Sequence, residues 1–174
     1  MNTLRTFLTV AALASTTSTL RAQDKLNDLE MAHVAVTADA LDIEYATLVL
    51  KHSKNTAVRE FANTMIRDHT AVTAQVVALA KKLNVQAQDN AVSKQLVTNS
   101  LPIKAKLSTL RGAALDKFYA ENELAYHKAV NGLVGKTFIP AIQNAEVKQA
   151  FEGALVIFKG HEQHAEMMVK SLSK

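Results

Sequence analysis

The stretch from Val147 to Leu172 constrains the chain more than any other. Val147, Phe151, Ala154, Phe158, His161, Ala165, Met168 and Leu172 follow one another in steps of three and four, which places them on one face of a long helix. His161 is the one polar member of that stripe. Gly160 beside it costs a helix roughly 1 kcal/mol relative to alanine, a cost that a packing or close-approach requirement would explain. A single inward histidine is most often a satisfied core residue. Here three other predicted helices carry a similar group.

The composition agrees with an all-helical chain. Hydrophobic residues make up 48%, and there are only two prolines, Pro102 and Pro140, and five glycines, all from Gly112 onward. At 174 residues there is enough chain to bury a real core. There is no Trp and aromatics are 5%, so no stacking platform for single-stranded nucleic acid is present. With no cysteine, disulfides, thiolate ligands, a cysteine nucleophile and a lipid-modified cysteine are all excluded.

Arg5 precedes an apolar run, Phe7 to Ala14, and small polar residues lead on to Leu20-Arg21-Ala22. This is the pattern of a secretory signal peptide over residues 1–22, cleaved after Ala22. Its apolar part is far shorter than the roughly 20 residues a membrane-spanning helix needs. Residues 23–174 are then a single exported domain, periplasmic or secreted, associated with an outer membrane at most peripherally. Without residues 1–22 the chain has 18 basic and 16 acidic residues, a balance of +2 that gives no electrostatic case for nucleic acid.

The first helix opens at Asn27-Asp28-Leu29-Glu30, a capping box. Its predicted core stripe is Val34, Thr37, Leu41, Glu44 and Leu48, which points Glu44 inward; a slight rotation of the helix would instead bring Glu44 to solvent. Ser53-Lys54-Asn55 is a short polar turn, so the second helix returns antiparallel with Val58, Ala62, Met65, His69, Val72, Val76 and Leu83 on its inner face. Asp68 is either a surface acid or a partner for the cluster, and Asn84 is a stop signal. Residues 91–111 are expected to form a broken crossover, interrupted at Pro102 with a helix end at Asn99-Ser100. The third long helix starts near Ala113 and carries Tyr119 or Ala120, Glu123, His127, Val130 and Val134 on one face, with Gly135 and Pro140 ending it. The fourth begins near Asn144.

Glu44, His69, His127 and His161 thus stand on four helices, with Glu123 next to His127 and Asp68 and Tyr119 as supporting groups. Imidazole with carboxylate suits Fe, Zn, Mn or Cu, and facing helices of a four-helix bundle are a recurrent place for such a site. At about 1.5 Å per residue from the two turns, the four levels agree to within one or two helical turns. Two Glu-x-x-His pairs, as in di-iron carboxylate proteins, are absent: Ile66, Leu124 and Phe158 stand three residues before the histidines. The competing reading is a metal-free buried network of His, Glu and Tyr that fixes helix register. His33, His52 and His164 are read as surface residues. Hydrolase and phosphate-loop motifs are missing, so no substrate is indicated; a non-catalytic envelope or stress protein, binding an envelope partner or itself, is the other functional class.

Thr64-Met65-Ile66-Arg67-Asp68-His69, Leu115-Asp116-Lys117-Phe118-Tyr119 running into Glu123-Leu124-Ala125-Tyr126-His127, and the terminal His161 resemble bacterial domain of unknown function 4142, over residues 28–172. Members are exported, often labelled outer membrane proteins, and the resemblance implies a ferritin-like four-helix fold of two antiparallel pairs, but no activity. Leu115-Asp116 stands where the family usually has Phe-Asp.

Overall fold

The structure is a computed structural model describing residues 25–173. The expected signal peptide lies outside the described residues. Among those described, all regular structure is helical: α1 (Asp28–Leu50), α2 (Thr56–Lys82), α3 (Ala91–Thr109), α4 (Gly112–Leu133), a π-helical turn (Val134–Phe138), the short α5 (Ile139–Ala141) and α6 (Ala145–Leu172). No helix among them is long and apolar enough to cross a membrane.

Local chemistry explains the ends. Asn27 accepts from the amides of Leu29 and Glu30 while Glu30 reaches back to the Asn27 amide, closing the capping box. Asn55, Asn90 and Asn144 cap α2, α3 and α6 with their side-chain oxygens, and Ser93 closes a second capping box with Asn90. Beyond α2, Asn84 adopts φ 52°, the left-handed conformation that stops a helix, and the Val85 amide bonds back to the Ala80 carbonyl.

Cross-helix bonds fix the directions. His69 and Thr73 meet Asp39 while Arg59 meets the Leu50 carbonyl, so α2 runs antiparallel to α1. Asn131 on α4 meets the Phe158 carbonyl and Glu162, and Phe138 packs on Phe151, so α6 runs antiparallel to α4. Asp68 to His161 and Lys82 to Glu146 set α6 antiparallel to α2. Ser53 to Asp116 and Tyr126 to the Ala38 carbonyl do the same for α4 and α1. Thus α2 and α4 point the same way, and the connection between them must climb back. That is the work of α3, parallel to α1 through Asn90 to the Glu30 carbonyl and Lys104 to Glu44.

The crossover is therefore a continuous helix and not the broken segment expected. Pro102 removes one backbone donor, but α3 covers α1 with Leu96, Ile103 and Leu107 against the core, and that burial outweighs one missing bond. Nor does the third long helix stop at Gly135. It widens into the π turn, where Gly135 lies so close to α6 that a Cβ would stand 3.3 Å from Leu155 Cδ2, and it ends after Pro140.

Two apolar clusters fill the interior. One joins Leu41, Tyr45, Val49, Phe61, Met65, Leu107, Leu115, Tyr119 and Met168. The other joins Met31, Val34, Val134, Phe138, Ile142, Val147 and Phe151 at the opposite end. Between them lies a polar layer.

Candidate metal centre

Four helices supply that layer: α1 with Asp39 and Asp42, α2 with His69, α4 with Glu123 and His127, and α6 with His161, every one of them buried. His69, His127 and His161 each offer a nitrogen such that the three lie within 4.8 Å of one another; Asp42, Glu123 and His127 form a second such group.

Glu44 is not among them. It stands on the outside of α1, 52% exposed, 2.9 Å from Lys104 Nζ. The expected stripe is off by part of a turn: α1 buries Met31, Val34, Ala38, Leu41, Tyr45 and Val49 on one side and Asp39, Asp42 and Ala46 next to it, while Thr37 and Leu48 are half-buried. The physical reason is that α1 lies against α2, α3 and α4 at once, so its covered face is too wide to be located by one apolar stripe. Asp39 and Asp42 are the residues that sequence reading missed. Their signal was Ala35, Asp39, Asp42, Ala46, Val49, a second run in steps of three and four.

Each histidine is held by one ring nitrogen. His69 Nδ1 lies 2.7 Å from Asp39 Oδ1, whose other oxygen accepts from Thr73. His127 Nδ1 lies 3.0 Å from the Glu123 carbonyl, and His161 Nε2 lies 3.0 Å from Asp68 Oδ2. All three partners are acceptors, so the nitrogen facing each carries the hydrogen; the opposite nitrogens of His127 and His161 are then lone pairs, whereas His69 has a carboxylate at each nitrogen. Those opposite atoms, His69 Nε2, His127 Nε2 and His161 Nδ1, are buried without a hydrogen-bond partner. Both Asp42 oxygens and Glu123 Oε2 are in the same condition. Asp42 Oδ2 stands 3.3 Å from His69 Nε2 and 3.6 Å from His127 Nε2. Phe158 stacks on the His69 ring at 4.4 Å, fixing its plane.

The electrostatics follow from crowding. Burial raises the Asp42 carboxyl to about 6, with Asp39 adding repulsion and His69 opposing it. Glu123 is pushed well above the carboxylate range by burial and then by Asp42. Burial pulls His127 down to about 3 and also lowers His161, whereas for His69 burial is outweighed by Asp42 and Asp39 and its affinity for a proton rises. Asp68 is lowered, first by its bond to Arg67. Tyr119 sits beside the cluster, wholly buried, its hydroxyl without a partner. His164 is exposed, as expected, but His33 and His52 are half-buried.

Fold and site together define an all-α protein with a buried layer of histidine and carboxylate. The chain belongs to the family Domain of unknown function (DUF4142), whose profile matches residues 12–168. No curated protein and no solved structure matches it.

Proposed function

We propose that this protein binds one transition metal ion in its interior, through His69, His127 and His161 and the carboxylate of Asp42. One observation carries the reading: nitrogens of the three histidines lie within 4.8 Å of one another, Asp42 Oδ2 stands 3.3 and 3.6 Å from His69 and His127, and ligand atoms of all four buried residues lack hydrogen-bond partners. A register-fixing polar network would pair these atoms with one another, because a buried unpaired polar group costs about 1–3 kcal/mol. A cation satisfies them together. Ligands about 2.0–2.1 Å from a tetrahedral ion stand roughly 3.3 Å from each other, close to the separations of Asp42 from His69 and His127. The carboxylate or carbonyl behind each histidine is the outer-shell arrangement that orients metal-bound imidazole. Zn, Fe, Mn and Cu all suit such a donor set, and the ion would supply Lewis-acid or redox chemistry.

The four helices that build the site, α1, α2, α4 and α6, make a four-helix bundle of the ferritin-like kind, with α3 as the return, in a domain exported from about Gln23. Elemental analysis of untagged protein from its native compartment tests the metal, with about one ion per chain expected. Substoichiometric metal, together with a melting curve unmoved by chelator, would leave only a polar network. N-terminal sequencing of the exported form tests the cleavage.

A second reading, an envelope protein that presents a surface to a partner, draws on Val156 and Met167, 74% and 61% exposed on the outer face of α6. Gly153, Gly160 and Lys159 interrupt that face, which leaves it smaller than the patches that mark stable interfaces. Charged or polar substitutions at Val156 and Met167 that abolish a specific envelope complex would favour it.

A further inference from the structure

The ion proposed above would use His69 Nε2, His127 Nε2, His161 Nδ1 and Asp42 Oδ2, and it leaves two buried carboxylate oxygens over. Asp42 Oδ1 and Glu123 Oε2 have no hydrogen-bond partner, and both side chains are fully buried. Asp42 comes from α1 and Glu123 from α4, so the pair spans two helices. The other Glu123 oxygen accepts from the Asn122 amide at 3.4 Å. Asp42, Glu123 and His127 each offer an atom such that the three lie within 4.8 Å of one another, and Glu123 Oε2 stands 3.8 Å from His127 Nδ1. One helical turn before Glu123 on α4, the Tyr119 hydroxyl is also buried without a partner.

We propose that Asp42 and Glu123 hold a second cation, of the hard Mn(II) or Mg(II) class, beside the first, with the Asp42 carboxylate bridging the two. This rests on the metal reading above. Two buried carboxylates on facing helices cost folding energy unless a positive charge lies between them. A carboxylate with one oxygen on each ion suits the separation of about 3.5–4 Å at which paired ions work. His127 is within reach of both positions but has one nitrogen to give, since its Nδ1 already faces the Glu123 carbonyl. The second position is therefore built of oxygen, with water completing its shell, and such donors favour Mn(II) and Mg(II). A proton shared by the two carboxyls is the competing occupant, and in that case no second ion binds.

Zinc followed by manganese separates the two positions. Metal-free protein given an equimolar amount of Zn(II) and then titrated with Mn(II) should take up about one Mn(II) per chain, read as loss of the free-ion paramagnetic resonance signal. Glu123→Gln, which keeps the shape of the side chain, should retain zinc and weaken Mn(II) by more than about 100-fold, beyond what loss of an outer-shell partner costs. With Cu(II) in place of zinc, the bound Mn(II) signal should change through spin coupling across the Asp42 carboxylate, a readout that needs no variant to fold. Full zinc with no Mn(II) uptake, equal uptake by parent and Glu123→Gln, or a Mn(II) signal indifferent to Cu(II) overturns the second position alone. Failure to take up zinc overturns the metal reading, and the second position with it.

Discussion

Asp42 is a costly side chain for the fold and one that the proposed ion needs. It is fully buried, and its carboxyl is raised to about 6 chiefly by burial. A carboxyl raised in the folded state contributes stability below its ordinary value near 3.8 and loses it as pH rises through 6, so at pH 7.5 the metal-free protein bears its charge at a cost. Asp42→Asn should therefore melt no lower than the parent in chelator, yet bind metal at least 100-fold more weakly, as calorimetry would show. Asp39→Asn, which removes the negative charge that His69 and Thr73 face, should weaken binding 10–100-fold. Glu44→Gln should leave affinity unchanged, since its pair with Lys104 is exposed. His127 has the opposite sign. Its pKa is depressed to about 3, so the unfolded chain takes up a proton below about 6.5 where the folded chain does not, and stability falls with pH across that window. In metal-free protein, urea titrations at pH 7 and pH 5 should show parent stability falling relative to His127→Gln by roughly 2 kcal/mol, at about 1.4 kcal/mol per pH unit. The three histidines were legible in the sequence because each interrupts an apolar stripe. The aspartates were not, because a polar residue in a second stripe of a widely covered helix looks the same as a surface residue.

At the scale of elements, the starts of helices were plain in the sequence and their interiors were not. Asn27, Asn55, Asn84 and Asn144 mark ends by chemistry that acts within four residues. Continuity of α3 through Pro102 depends on what the helix covers, which no local rule records. The π turn likewise answers to the approach of Gly135 to Leu155, residues on different helices. Asn90 is the cap with most at stake. It is buried, its oxygen takes the Val92 and Ser93 amides, and its amide nitrogen holds the Glu30 and Gln88 carbonyls. Asn90→Ala strips the α3 cap and removes its half-buried bonds to the Glu30 and Gln88 carbonyls, so a loss of about 2 kcal/mol is expected in urea unfolding. Asn144→Ala, at an exposed cap, should cost about 1 kcal/mol. If the two losses were equal, the tie between α3 and α1 would not be what Asn90 contributes.

Across the whole molecule, the polar layer sits where the apolar clusters are interrupted, and it takes one ligand-bearing helix from each side. Counting along helices from the two turns brought these levels together only to within a turn or two. The sharper alignment comes from contacts such as Ser53 to Asp116, Asp68 to His161 and Tyr126 to the Ala38 carbonyl, which join residues far apart in the chain. An ion held by Asp42, His69, His127 and His161 would tie α1, α2, α4 and α6 at one point, and the unfolded chain has no such point. Binding then adds directly to folding stability, by about 2.7 kcal/mol when free metal is 100 times its dissociation constant. For a chain of this size each kcal/mol moves the melting temperature by about 2–4 °C, so metal should raise it by about 5–10 °C. Chelator should reverse that rise, and so should acidification through the histidine range near 6.5, where ligand nitrogens must exchange metal for protons. His161→Gln removes the one ligand from α6 and should abolish most of the difference between the curves with metal and with chelator. Stoichiometric metal on the parent protein with superimposable melting curves would place the ion outside the core and overturn the site.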